Sequence, residues 1–90
     1  MIRELEEVYT PANKGIVSMK EIYLINEKLC LDEMDELQLR NLRDFTVMYF
    51  GNKADKAELE SFEECMKVMD KMSAITSVID NKLWNIGAEI

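Results

Sequence analysis

The sequence predicts an all-α protein, a small bundle of three main helices at about residues 18–30, 33–50 and 55–85. Within each range, apolar residues recur at steps of three and four positions, which is the spacing of one helix face. Ser or Asp, two residues that commonly cap helices, stands at or just before the start of each range. At 90 residues the chain has the length of one domain, so we expect residues 1–90 to fold as a unit.

The segment before residue 18 allows two interpretations. Apolar residues at helical spacing favour a short helix, and these residues are Ile2, Leu5, Val8 and Tyr9. Alternatively, the turn-forming residues from Thr10 to Gly15, which include Pro11, connect two strands of a β-hairpin at about residues 7–10 and 16–18. The sequence leaves a short N-terminal helix and a β-hairpin both open.

The helix at about residues 18–30 is predicted by its start and by its periodicity. Ser18 and Glu21 fit a capping box, in which the Ser side chain accepts a hydrogen bond from the third helical amide and the Glu side chain accepts one from the Ser amide. The apolar residues that follow at steps of three and four are Met19, Ile22, Ile25 and Leu29. These positions define the buried face of an amphipathic helix.

The helix at about residues 33–50 is expected to begin at an acidic cap and to end at a glycine. Asp32 precedes a first turn that is rich in carboxylates, where negative charge is favourable near the amide end of a helix. Gly51 is expected to adopt the left-handed conformation that commonly ends a helix. A short link at residues 51–54 then places the last helix antiparallel to this one.

The last helix is the most informative part of the sequence. Asp55 is expected to cap it, and no Gly or Pro interrupts residues 55–84, so the helix would be about 45 Å long. The preceding helix, at about 27 Å, would cover it only as far as Ala74. An apolar stripe would then remain uncovered, and the interface residues that we predict along it are Met69, Met72, Ile75, Ile79, Leu83 and Trp84.

Composition and charge argue against several classes of function. The formal net charge of −7 disfavours direct binding to nucleic acid or to an anionic membrane, and the chain has no apolar run long enough to cross a bilayer. It also lacks a secretory signal pattern, so we expect a cytoplasmic protein. Cys30 and Cys65 are expected to be reduced thiols, and the chain has no histidine, so we predict neither a metal site nor a cofactor.

No arrangement of residues predicts catalysis. Five glutamates loosely resemble the magnesium-binding clusters of all-α nucleoside triphosphate pyrophosphohydrolases, and these are Glu33, Glu36, Glu60, Glu63 and Glu64. The motif spacing of that family is absent, and the antiparallel geometry would separate Glu33 from Glu60 by about 20 Å. Because no histidine or lysine is placed as a general base, we predict that the protein is not an enzyme.

Two functional hypotheses remain. The first is a regulatory protein–protein interaction module, a helical homodimer or an obligate partner binder, that acts through the apolar stripe of the last helix. The second is a small acidic inhibitor that mimics nucleic acid, similar in size and charge to phage anti-defence and anti-CRISPR inhibitors of nucleic-acid-handling enzymes. Basic residues interspersed among the acids, such as Arg43 and Lys71, favour the first hypothesis. The sequence does not separate a dimer seam from an interface with another protein.

Overall fold

The computed structural model describes residues 2–8 and 18–87, and these residues confirm the all-α class. The helices in the described ranges are α1 (Ile2–Glu7), α2 (Met19–Leu29), α3 (Glu36–Glu58) and α4 (Phe62–Asn85), with a single 3₁₀ turn at Leu31–Glu33 before α3. Helix α1 confirms the helical interpretation for the start of the chain. Residues 9–17, which carry the predicted turn and most of the alternative β-hairpin, lie outside the described residues.

Helix α2 begins where the sequence predicts. The Glu21 amide donates to Ser18 Oγ at 3.2 Å, and the Ser18 hydroxyl in turn donates to Glu21 Oε1 at 3.1 Å. The helix ends at Cys30, which is left-handed with a φ of 55°. Ile25 and Leu29 are buried, so the predicted apolar face does pack inward.

The N-cap of helix α3 lies three residues after the predicted cap. Its N-cap is Asp35, not Asp32, and Asp35 forms a reciprocal capping box with Gln38 through bonds of 2.8 and 3.0 Å. Asp32 does not fit the capping-box pattern, because the residue three positions after it is Asp35, whose side chain is shorter than that of Glu or Gln. It lies in the 3₁₀ turn and pairs instead with Lys82 of α4.

The prediction that Gly51 ends this helix is wrong. Helix α3 continues through Gly51 to Glu58, and Gly51 has no positive φ. Burial of Phe50 and Ala54 on either side of Gly51 stabilises the helical conformation there. Burying a large apolar side chain such as that of Phe50 stabilises a protein by about 1.5–3 kcal/mol. This exceeds the penalty of about 1 kcal/mol for a glycine inside a helix.

The predicted cap of the last helix, Asp55, therefore lies inside α3. Helix α4 instead begins after Ser61, whose Oγ accepts a hydrogen bond from the Glu64 amide at 3.4 Å. The spacing of Ser61 and Glu64 is itself that of a capping box, and it was present in the sequence. The turn between the two long helices is thus at residues 59–61 rather than 51–54.

This displacement of the turn changes what covers α4. The two long helices, of 23 and 24 residues, pack against each other in antiparallel orientation. Arg43 of α3 donates to Asp80 of α4 at 2.6 Å, which shows that the first half of α3 lies beside the second half of α4. The prediction that Ile75, Ile79 and Leu83 remain uncovered is therefore wrong, since their exposed fractions are 0, 0 and 1%.

The two shorter helices cover one face of the α3–α4 pair. Leu5 and Val8 from the first segment join Ile25 and Leu29 from α2 in the buried core. Helix α1 is held by Glu6, whose carboxylate accepts hydrogen bonds from the Tyr49 hydroxyl and from the Lys53 ammonium. The Glu6 backbone oxygen also accepts a bond from Lys71 Nζ at 2.5 Å. These contacts fix α1 against the half of the pair that lies nearest the turn at residues 59–61.

The electrostatics of this contact follow from its geometry. The hydrogen bonds from Lys53 and Tyr49 hold the pKa of Glu6 below its ordinary value, and the same contact raises the pKa of Tyr49. Burial lowers the pKa of Lys71, because α1 shields its ammonium from water. The polar groups on this face of α3 and α4 are therefore engaged with α1.

Candidate functional site: an open groove between α3 and α4

The face of the α3–α4 pair opposite α1 carries a groove. Residues two positions apart on a helix point about 200° apart, so Val47 and Met69 face away from Tyr49 and Lys71, which contact α1. The open groove, as we call this surface, has a volume of about 590 Å³. It is lined by Val47, Met48, Gly51, Asn52, Ala54, Asp55, Glu58, Phe62, Cys65, Met66, Met69 and Met72. All of these residues belong to the two long helices.

The open groove is mainly apolar and accessible to solvent. Phe62 is 75% exposed, Met48 60% and Met69 39%. Four methionines and one cysteine contribute flexible, polarisable sulfur-containing side chains, which adapt to differently shaped partners. A contiguous exposed apolar surface of this kind marks a binding site more often than scattered single residues do.

The charged residues of the open groove are both acidic. Asp55 and Glu58 are the charged side chains in its lining. Lys56 neighbours Asp55 on α3 but does not line the groove, and three other lysines on the same segments pair with groups outside the lining. Lys53 pairs with Glu6 at 2.5 Å, Lys71 donates to the Glu6 backbone oxygen, and Lys67 pairs with Glu64 at 3.5 Å. The groove therefore combines an apolar floor with a negative charge on the α3 side.

The predicted interface residues separate into three groups in the structure. Met69 and Met72 do line the open groove. Ile75, Ile79 and Leu83 instead form part of the core, because α3 is longer than the sequence indicated and reaches over them. Trp84 is 70% exposed near the end of α4 and does not belong to the groove lining.

Sequence reasoning missed the α3 side of the site. Val47 and Met48 belong to the groove, but neither was assigned to a surface, because the expected turn at residues 51–54 left no groove beside them. One feature of the sequence could have indicated this surface. Val47 and Met48 are apolar but lie on a different side of the helix from Phe45 and Tyr49. When a helix is apolar on more than one side, the core cannot bury all of its apolar surface, and part of that surface stays exposed.

The acidic residues in the described ranges do not gather into a metal-binding cluster. Within residues 2–8 and 18–87, no cluster of three or more His, Cys, Asp or Glu side chains could hold a metal ion. Glu33 and Glu60, which sequence reasoning compared with a magnesium cluster, lie before and after α3 and so at opposite ends of that helix. The predictions of no enzyme, no metal and no cofactor stay predictions.

The fold and the groove together define a small acidic all-α protein in which one face of a long helical pair is covered and the other is open. Comparison of the chain with protein-family models, with curated proteins and with solved structures gives no match. Among the helices described, none combines the length and the apolar character that crossing a membrane requires.

Proposed function

We propose that the protein is a non-enzymatic regulatory module that binds another protein through the open groove. The observation that carries this proposal is the apolar lining of the groove, in which Phe62, Met48 and Met69 are exposed to solvent. Covering such surface is favourable by about 25 cal/mol per Å² of apolar area removed from water. The aliphatic residues farther along α4, Ile75, Ile79 and Leu83, are already buried against α3, whereas the apolar lining of the groove still gains from a partner.

The location of the proposed interface differs from the one that the sequence indicated. The stripe formed by Ile75, Ile79 and Leu83 is buried within the chain and cannot bind a partner without unfolding α4 from α3. Met69 and Met72 remain in the interface, and Phe62 and Met48 join them. This stripe no longer supports a homodimer, because its aliphatic residues are buried within one chain.

The alternative of a nucleic-acid mimic has less support from the arrangement of charges. A mimic needs unpaired carboxylates along one face, but many carboxylates of this protein are paired with cations on several different faces. Examples are Glu7 with Lys28 at 2.6 Å and Asp80 with Arg43 at 2.6 Å. Mixed pairs of this kind are typical of an ordinary solvated surface.

Photo-cross-linking tests the proposal at the level of single positions. We would replace Met69 by p-benzoylphenylalanine and irradiate the protein in a lysate of the cells that produce it. Because Met69 lies in the groove, we expect discrete adducts with another protein, which excess unlabelled wild-type protein should suppress. The matched control carries the same probe at Asn81, which is exposed on α4 but does not line the groove.

Two results would contradict the proposed function. One is the absence of competable adducts from Met69. The other is an equal yield of the same adducts from Asn81, because a partner that reaches both positions equally does not bind through the groove. A further variant, Met66→Glu together with the probe at Met69, should lose the adducts while the helical circular dichroism signal is retained, since Met66 is half-buried in the groove and outside the core.

A further inference from the structure

We infer that the occupant of the open groove is an amphipathic helix of another protein, with lysine or arginine residues beside its apolar stripe. This inference rests on the proposed function, because it specifies the chemistry of the partner that the groove binds. It combines three properties of the groove, which are its shape, its apolar lining and the sign of its charge.

The shape of the groove fits a helix. It runs between two antiparallel helices, over residues 47–58 of α3 and 62–72 of α4. This length is about 17 Å, or three helical turns, at 1.5 Å per residue. A third helix placed between α3 and α4 would pack at the usual 8–10 Å from each, with apolar residues at steps of three and four facing the groove.

The lining suits the apolar stripe of such a helix. Met66, Met69 and Met72 follow one another along α4 at steps of three, and Met48 faces them from α3. Their unbranched side chains can move to accept Leu, Ile or Phe from a partner. Phe62, at the start of α4, closes the end of the groove nearest the turn with a large aromatic surface.

The charge of the groove selects a basic helix. Asp55 and Glu58 lie one turn apart on α3, and the lining includes no Lys or Arg. Lysine and arginine have long aliphatic stems, so they can cover the apolar edge of the groove while their charged groups reach Asp55 and Glu58. The net charge of −7 would also accelerate the approach of a basic partner.

The same charges argue against a second copy of this chain. A second copy that docked through its own groove would present the same two acids, Asp55 and Glu58. The groove lining provides no cation to compensate for them, and two molecules that each carry a charge of −7 repel one another.

The two cysteines provide a direct footprint of the occupant. Cys65 lines the groove, whereas Cys30 is exposed at the end of α2. We would measure the alkylation rate of each thiol by mass spectrometry, with and without a synthetic helical peptide of about 14 residues that has leucines on one face and lysines on both sides of it. We expect the peptide to slow the alkylation of Cys65 and to leave that of Cys30 unchanged.

Peptides of reversed charge and protein variants of matched charge test whether the bound helix must be basic. A peptide with glutamates in place of the lysines should bind at least about tenfold more weakly at low salt, and added salt should reduce this difference. The double variant Asp55→Asn with Glu58→Gln should weaken binding of the lysine peptide by roughly three- to tenfold. The control, Glu27→Gln with Glu33→Gln, changes the net charge equally, from −7 to −5, at exposed positions outside the groove and should bind nearly as the wild type does.

Several results would overturn the inference. It fails if the lysine peptide does not protect Cys65, if the glutamate peptide binds equally well, or if the control variant loses as much affinity as the groove variant. It also fails if Cys65 becomes protected without peptide while light scattering shows a dimer, because a second copy is then the occupant. If cross-linking from Met69 succeeds while the peptide tests fail, the groove binds protein but not a basic helix; failure of the cross-linking contradicts the proposed function itself.

Discussion

Replacement of Ile79 by alanine is expected to lower the free energy of unfolding by about 2–5 kcal/mol, the range for removing a large aliphatic side chain from a packed core. Ile79 is fully buried within the chain. For a domain of this size, the loss corresponds to a fall in the melting temperature of roughly 10–30 °C. Urea denaturation followed by far-ultraviolet circular dichroism would give the free energy directly.

Trp84→Ala is the matched control for this prediction, because it also removes a large apolar side chain from the second half of α4. Trp84 is 70% exposed, so we expect its replacement to change the free energy of unfolding by no more than about 0.5 kcal/mol. If the two variants lost similar stability, or if Ile79→Ala were neutral in a monomer, then α4 would not be packed against α3 as described.

Gly51→Pro is expected to destabilise the protein by about 3 kcal/mol or more, because proline removes a helical hydrogen bond and clashes with the preceding turn. Gly51 lies in the middle of α3, and its neighbours Phe50 and Ala54 are buried. Breaking the helix here would divide the groove lining of α3, with Val47 and Met48 on one side of the break and Asp55 and Glu58 on the other. Chemical denaturation at equilibrium would measure the loss.

Gly51→Ala distinguishes this structure from the one that the sequence suggested. A methyl group added at Gly51 would meet no atom within 4 Å, so alanine should stabilise α3 by roughly 0.5–1 kcal/mol through its higher helix propensity. If Gly51 instead ended the helix in a left-handed conformation, alanine would destabilise the protein by about 1–2 kcal/mol. The sign of the change therefore decides between a continuous α3 and a turn at residues 51–54.

The sequence predicted the fold class and the second helix well because their signals are local. The capping residues Ser18 and Glu21 and the apolar positions Ile25 and Leu29 all specify the same helix. Periodicity and capping are properties of a few neighbouring residues, so they can be read without knowing the rest of the fold.

The boundary between the two long helices could not be predicted in the same way. Gly51 and Asp55 offered one plausible end and start, and Glu58 and Ser61 mark the pair that the protein uses. The penalty for keeping Gly51 inside a helix is about 1 kcal/mol. Burying the Phe50 side chain in the core stabilises the protein by more than that. Tertiary packing therefore decided the boundary, and no local pattern of residues reports how much that packing contributes.

The position of the turn between α3 and α4 also explains why part of the predicted interface is buried in the core. With the turn at residues 51–54, the aliphatic residues Ile75, Ile79 and Leu83 have no partner and become the interface. With the turn at residues 59–61, α3 covers them, and the surplus apolar surface is displaced to Met69, Met72 and their neighbours in the groove. The expectation of a surface for a partner survives as a proposal, but its location has moved to another face of α4.

Along its second half, α4 is packed into the core of a single chain, and the open groove is therefore the surface that we propose for a partner. Amide hydrogen exchange at two protein concentrations tests this directly. We predict that residues 74–83 exchange as slowly as residues 39–46 of α3, and equally slowly in dilute and concentrated solution, because the same chain covers both segments. Rapid exchange of residues 74–83 in dilute solution, slowing as the concentration rises, would contradict the account.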